Sequence, residues 1–260
     1  MAKAVFLNPI SDNFMKSKSL FIILSLFLSF CFAGASGQDN LAECGMKMTD
    51  ARDGKTYNTV KIGTHCWMAE NLNAGTKISL LKDQRDNGIT EKYCYDNNEA
   101  NCSIYGGLYQ WNEMMQFTTE PGTQGICPAG WHLPTDNEWC ILATYLDSTV
   151  NCNDYGPSGT IVNGKIKSAG TIEAGTGLWY YPNTGATNES GFTAFPAGTR
   201  SIYSKFFYIG YHAYFWSSVE FSDTDAWFFY LKYSNNAIYR ESYFKASGYS
   251  VRCIKDNQDR

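Results

Sequence analysis

Apolar and polar residues alternate most regularly in the last third of the chain. Across residues 226–233, Trp227, Phe229, Leu231 and Tyr233 fall on one side of an extended strand, and Ala226, Phe228, Tyr230 and Lys232 on the other. The first set is expected to face the core. Related patterns predict strands over residues 211–220, 237–243 and 249–255, with Ser234, Asn235 and Asn236 turning the central hairpin. Near the other end, residues 48–63 predict a hairpin in which Asp53 and Gly54 supply the turn and residues 57–62 carry alternating β-branched side chains.

Helical spacing is clearest in PTDNEWCILATYLDS, where Thr135 is placed as an N-cap and Glu138, three residues on, completes a capping box. Trp139, Leu142, Ala143 and Leu146 then form one apolar stripe. A second helix is expected over residues 108–117, with Leu108, Trp111 and Met115 on one face. Residues 74–103 and 156–191 are turn-rich and aperiodic, and read as loops. The second is interrupted by Leu178, Trp179, Tyr180 and Tyr181, and loops of this length in a compact domain are usually functional. No repeat or linker breaks the pattern. One α+β domain over residues 48–257 is expected, after a leader of residues 36–47 and before a tail of residues 258–260.

The first residues change the picture. Lys16 and Lys18 precede an uncharged apolar run over residues 20–32, and small residues from Ala33 to Gly37 follow, the order of a secretory signal. The run is shorter than the roughly 20 residues that span a bilayer. Residues 1–35 are therefore expected to be a signal peptide cleaved after Ala35, with translation starting at Met1 or at Met15. Lipidation of Cys31 is the alternative, although Phe30 is bulky where such signals carry a small residue. The expected destination is extracellular or the cell surface, with no span in the mature chain.

Removing three lysines and one aspartate with the signal, from 21 basic and 25 acidic residues, leaves a mature net charge of −6. Such a domain has no electrostatic grip on nucleic acid. Of nine cysteines, all but Cys31 remain, an even number in an oxidising compartment, so a disulfide framework is expected rather than a metal centre. Spacing suggests that Cys94 with Cys102, and Cys140 with Cys152, close small loops.

Catalytic chemistry has little support. The histidines are His65, His132 and His212, there is no G-x-S-x-G elbow, and His132 reads as a structural hydrogen-bonder. Glu70, Glu113, Asp136, Glu138, Glu189 and Asp225 are not paired by any glycosidase motif. Calcium is a minor alternative to no cofactor: Asp96, Asn97, Asn98, Glu99 and Asn101 are oxygen-rich, but Asx turns explain such runs, and Pro182-Asn183 lacks an acid before it. What remains is aromatic. Tyr outnumbers Phe, 18 to 16, and Trp179, Tyr180, Tyr181, Tyr211, Tyr214 and Tyr239 are the expected ligand-binding residues, with Tyr208 and Tyr243 nearby. The expected function is non-catalytic recognition of a polysaccharide or a surface protein. An enzyme with an unrecognised site and a structural subunit of a surface assembly are the alternatives.

Six strings taken in order, DARDGKTYNTVKIGTHCWMAENLN, KYCYDNNEANCSIYGGLYQWNEMM, GICPAGWHLPTDNEW, ESGFTAFPAGTR, YFWSSVEFSDTDAWFFYLKY and SGYSVRCIKD, resemble the Fibrobacter succinogenes major paralogous domain. That family is similar to the C-type-lectin-like fold shared with formylglycine-generating enzymes. The resemblance implies a twisted antiparallel sheet with two main helices and long ordered loops, braced by disulfides. It also implies that Cys127 pairs with Cys253, which leaves Cys44 with Cys66. The reactive cysteine pair of formylglycine-generating enzymes has no counterpart over residues 238–249, so that activity does not carry over.

Overall fold

The structure, a computed structural model, describes residues 43–153 and 155–257. The signal segment, Cys31, most of the leader and the tail lie outside the described residues. The predicted hairpin divides in two. β1 (Met48–Thr49) pairs with β2 (Thr56–Tyr57) around the Gly54 turn, and β3 (Thr59–Ile62) turns at Gly63 to pair with β4 (His65–Met68). Both glycines have positive φ, 72° and 60°, which a side chain would resist.

The expected loop over residues 74–103 holds more order than its composition implied. β5 (Thr76–Lys77) runs parallel to β6 (Glu91–Lys92), and α1 (Glu99–Tyr105) follows. Asn98 caps α1 by accepting the Ala100 N–H at 3.1 Å, and Asn97 Oδ1 accepts the Leu80 N–H at 3.0 Å. The oxygen-rich run is thus turned to capping and turn formation.

The helix expected over residues 108–117 shrinks to α2 (Trp111–Met114), because Leu108 and Tyr109 bridge instead to Tyr93 and Tyr249. Tertiary pairing overrides local periodicity there. β7 (Trp131–His132) leads into α3 (Asp136–Leu146), the one helix of three turns among those described, where two main helices were expected. Its capping box is complete: Thr135 Oγ1 accepts the Glu138 N–H at 3.2 Å, and Glu138 Oε2 accepts the Thr135 N–H at 2.8 Å.

The loop over residues 156–191 contains β8 (Gly156–Ser158) and α4 (Val162–Ile166). Then come β9 (Ala197–Arg200) and β10 (Phe206–Ile209), which no alternation announced, and the expected β11 (His212–Glu220), β12 (Asp225–Lys232) and β13 (Ile238–Phe244). The final strand is shorter than expected. Only β14 (Ile254–Lys255) is regular, while Tyr249 and Ser250 make single bridges to Tyr109 and Phe215.

Six strands form the main sheet in the order β10-β9-β11-β12-β13-β8, and four more form β3-β4-β14-β7. The main sheet is not wholly antiparallel, since β9 meets β11 in parallel at Gly198 and Ala213. α3 packs on one face, where Trp139 stacks on Phe229 with centroids 5.4 Å apart and meets Trp67 at 4.9 Å. The opposite face of β12 is buried too, with Ala226 and Phe228 in a core that includes Trp111, Met114 and Trp216. The expectation that only the Phe229 side is core is therefore corrected. β12 is a central strand whose second face is covered over Ala226 and Phe228 as well. Four disulfides brace this body, Cys44–Cys66, Cys94–Cys102, Cys127–Cys253 and Cys140–Cys152. No helix among the described residues is long and apolar enough to cross a membrane.

Candidate functional site

Strand register builds the candidate site. His212 stands opposite Lys232; Tyr214 opposite Tyr230 and, one strand on, Tyr239; Trp216 opposite Phe228 and then Glu241. Because residues two apart share a face, all of these project from the side of the sheet opposite α3. Trp216 and Phe228 are covered, Trp216 donating its indole N–H to the Tyr109 carbonyl at 2.8 Å. Beyond them the cover ends. A groove of about 460 Å³ opens over Tyr214, Tyr230, Lys232 and Glu241, within the size range of small-ligand sites.

The tyrosines stand in a row. Tyr249 and Tyr214 stack at 5.0 Å, Tyr214 and Tyr230 at 5.4 Å, and Tyr230 meets Tyr239 at 4.5 Å. Each ring covers its neighbour's face, so the row offers edges and hydroxyls rather than flat faces. These hydroxyls are engaged. Tyr214 hydrogen-bonds His212 Nδ1 at 2.7 Å, Tyr230 donates to Glu241 Oε1 at 3.1 Å, and Tyr239 accepts from Asn235 Nδ2 at 2.7 Å. Burial, reinforced by neighbouring Tyr208, Tyr230 and Glu241, raises the Tyr214 phenol far above its ordinary range, and burial beside Glu241 does the same to Tyr230. Tyr214 and Tyr230 therefore stay protonated. Burial pushes the His212 imidazole down to about 4, with the Lys232 charge adding to the effect, so the ring is neutral at pH 7.

Open ring faces are found at the rim. Tyr203, Phe207, Tyr208 and Tyr243 are all exposed, Tyr208 at 50%. Tyr208 has φ 68°, a left-handed conformation that costs a non-glycine residue on the order of 1–2 kcal/mol, and it lays its ring on His212 at 4.7 Å. Ser201, whose buried Oγ has no hydrogen-bond partner among the described residues, and Ser247, beside Tyr249, also line the groove.

The residues expected from sequence divide three ways. Trp179 is not a ligand residue: it is fully buried, donating its N–H to Ser168 Oγ and the Ala194 carbonyl, each at 3.1 Å, with the Lys167 ammonium 5.4 Å from its ring. Tyr180 and Tyr211 stack on each other at 4.4 Å above Gly210, where a Cβ would come within 2.6 Å of the Tyr180 ring. With exposed Tyr181 they form a second patch outside the groove lining. Tyr214 forms the groove floor, and Tyr239 supports it from behind Tyr230. Lys232, Glu241, His212, Ser247 and Tyr249 were not anticipated, although Tyr230 and Lys232 already stood together on the face of β12 set aside as non-core.

The remaining acids are occupied elsewhere. Asp136 holds Arg240, Glu138 holds His132, Glu189 holds Lys165, Glu70 accepts from Asn58, and Asp225 accepts from Ser222 and Thr224. Glu113 accepts the Glu91 N–H at 2.9 Å and is raised to about 7, chiefly by burial. Among the described residues, Glu241 is the one carboxylate of the groove lining. Among the described residues no group of three or more His, Cys, Asp or Glu side chains is placed to hold a metal ion. Asn183 is buried, its amide nitrogen bonded to the Ser168 and Gly170 carbonyls at 3.1 and 2.8 Å.

Comparison with curated proteins and with solved structures finds no match to this chain. A family model does match, over residues 60–255, a span that takes in the whole groove and most of both large sheets, and the chain accordingly belongs to the Fibrobacter succinogenes major domain family.

Proposed function

We propose that this protein is an exported recognition domain of C-type-lectin-like build that binds glycans in the tyrosine-lined groove. One observation carries the reading: a row of hydrogen-bonded phenols, flanked by exposed aromatic faces and two buried serine hydroxyls, gathered in one concavity. A pyranose has apolar C–H faces and a rim of hydroxyls, so it needs ring faces to lie on and a belt of donors and acceptors around them. Tyr208 and Tyr243 offer the first, and the phenol row with Glu241 and the serines offers the second. The lectin-like build is supported by the helix packed on one face of a large sheet and by the Cys127–Cys253 bridge. Export is supported by the charged-apolar-small order of residues 16–37 and by a cysteine set consumed in disulfides.

A hydrolytic reading rests on the presence of His212 and Glu241 in the same groove. It is the weaker one. Two-carboxylate glycoside hydrolysis needs a second acid across the cleft, and among the described residues Glu241 has none in the lining. The test is a glycan array probed with the mature domain and with Tyr208→Ala and Tyr243→Ala. We expect selective binding that falls at least about tenfold in either variant, the loss of a stacking contact being worth roughly 1–2 kcal/mol. Failure of the intact domain to bind any glycan, or undiminished binding by both variants, rejects the proposal, and release of reducing sugar from bound oligosaccharides favours the hydrolytic reading.

A further inference from the structure

The two charged groups of the groove flank the tyrosine row, which crosses the strands, on its two sides. Lys232 lies beside His212, and Glu241 stands opposite Phe228, four residues away along β12. At about 3.3 Å per residue that is roughly 13 Å between backbone positions, and the charged atoms stand closer than that, because Lys232 Nζ lies 5.4 Å from the Tyr230 ring centroid and Glu241 Oε1 lies 3.1 Å from the Tyr230 hydroxyl. Neither charge is neutralised by the protein: among the described residues, neither Lys232 nor Glu241 forms an ion pair. Lys232 instead lies over aromatic rings, 4.1 Å from the Tyr239 centroid and 5.4 Å from that of Tyr230. Rings hold the ammonium in place but do not cancel its charge.

We propose that the groove selects a glycan in which one acidic sugar adjoins neutral ones, its carboxylate seated at Lys232 and His212 and a neutral neighbour's hydroxyls at Glu241. This rests on the groove being a glycan site and adds the chemical class. His212 Nδ1 and the buried Tyr214 hydroxyl share a hydrogen bond at 2.7 Å; in the tautomer in which the phenol donates, Nε2–H is left as a donor on the residue paired across the strands with Lys232. A cation and a neutral N–H side by side suit a carboxylate. On the other side of the row, Tyr230 occupies only Oε1 of Glu241, so Oε2 accepts from a sugar hydroxyl. The chain's net charge of −4 gives an acidic ligand no long-range attraction, so the selection is local to Lys232. A homopolyuronate fits less well. It places a second carboxylate beside Glu241, and two like charges at about 4 Å repel by about 1 kcal/mol even in bulk water and by more in a groove.

The experiment is a matched array: neutral oligosaccharides, the same oligosaccharides bearing a single uronic acid, and homopolyuronates of equal length. It is probed with the intact domain, Lys232→Met, Lys232→Arg and Glu241→Gln, each checked for an unchanged thermal midpoint. The intact domain should prefer the singly acidic form over its neutral parent by about tenfold, one charge-assisted contact. Lys232→Met should bring that ratio to about one, Lys232→Arg should preserve it, and Glu241→Gln should admit homopolyuronates. Equal binding of neutral and singly acidic forms by the intact domain overturns the acidic-sugar inference while leaving glycan recognition standing, as does a preference that survives in Lys232→Met. No binding of any glycan overturns both.

Discussion

The indole of Trp179 and the phenol of Tyr208 meet water very differently, and in each case the backbone around the residue is the cause. Trp179 bridges in parallel to Thr171, which turns its ring inward onto the Ser168 and Ala194 acceptors. Tyr208 is held at φ 68°, which turns its ring outward over His212. Removing the first should be a stability event. Trp179→Ala leaves a cavity and orphans two acceptors, so a loss of about 3–5 kcal/mol in urea unfolding is expected. A loss under about 1 kcal/mol would mean that the ring is not core. Neither orientation is legible in the sequence. The run Leu178-Trp179-Tyr180-Tyr181 has no period that separates inside from outside, and a left-handed tyrosine has no composition signal.

At the scale of elements, α3 is the best-specified part of the chain, because its start is written in local chemistry. Thr135 and Glu138 cap each other, and Glu138 also reaches His132 Nε2 at 2.9 Å, while Asp256 takes Nδ1 at 2.6 Å. One imidazole thereby ties the helix entry to the segment after β14. Burial alone would raise the Glu138 carboxyl, but the hydrogen bonds from His132 and Thr135 outweigh it and hold the group at about 2, against an ordinary 4.5. A carboxyl depressed in the folded state stabilises above its unfolded value. Its contribution, on the order of 3 kcal/mol, should therefore be intact above pH 4.5 and decline as pH falls toward 2. Glu138→Gln should flatten the stability profile in that window and lower it at neutral pH, as read by urea midpoints from pH 2 to 6. An unchanged slope would show that Glu138 is not the group responsible. β12 was legible in the same way as α3, by its period, but not in its surroundings. Alternation places Phe228 and Tyr230 together on one face, yet it cannot tell that the segment around Trp111 will cover part of that face and leave the rest as a groove.

Across the whole molecule, the number of cross-links was readable from cysteine count and compartment, whereas the longest of them rested on family likeness. Cys127 and Cys253 are 126 residues apart in sequence, and the residue beside the second, Arg252, is fully buried and forms no ion pair among the described residues. Its guanidinium donates to Asn71 Oδ1 and to the carbonyls of Met68, Phe192 and Thr193 at 2.7–2.9 Å. The segment around residue 252 therefore meets distant stretches of chain at one point, and the disulfide keeps one of them, the stretch around Cys127, close to it in the unfolded state. In the chain-entropy view a cross-link stabilises in proportion to the logarithm of the loop it closes. Closing 126 residues is worth roughly 5 kcal/mol and closing the 8 between Cys94 and Cys102 roughly half that. Replacing Cys127 and Cys253 together by Ala should thus lower the unfolding free energy by about twice as much as the same change at Cys94 and Cys102. Denaturant titration of the two double variants, with intact-mass analysis before and after reduction to count the bridges left, measures that ratio. Equal losses would mean that local packing around each sulfur, rather than the length of chain enclosed, sets what these cross-links contribute.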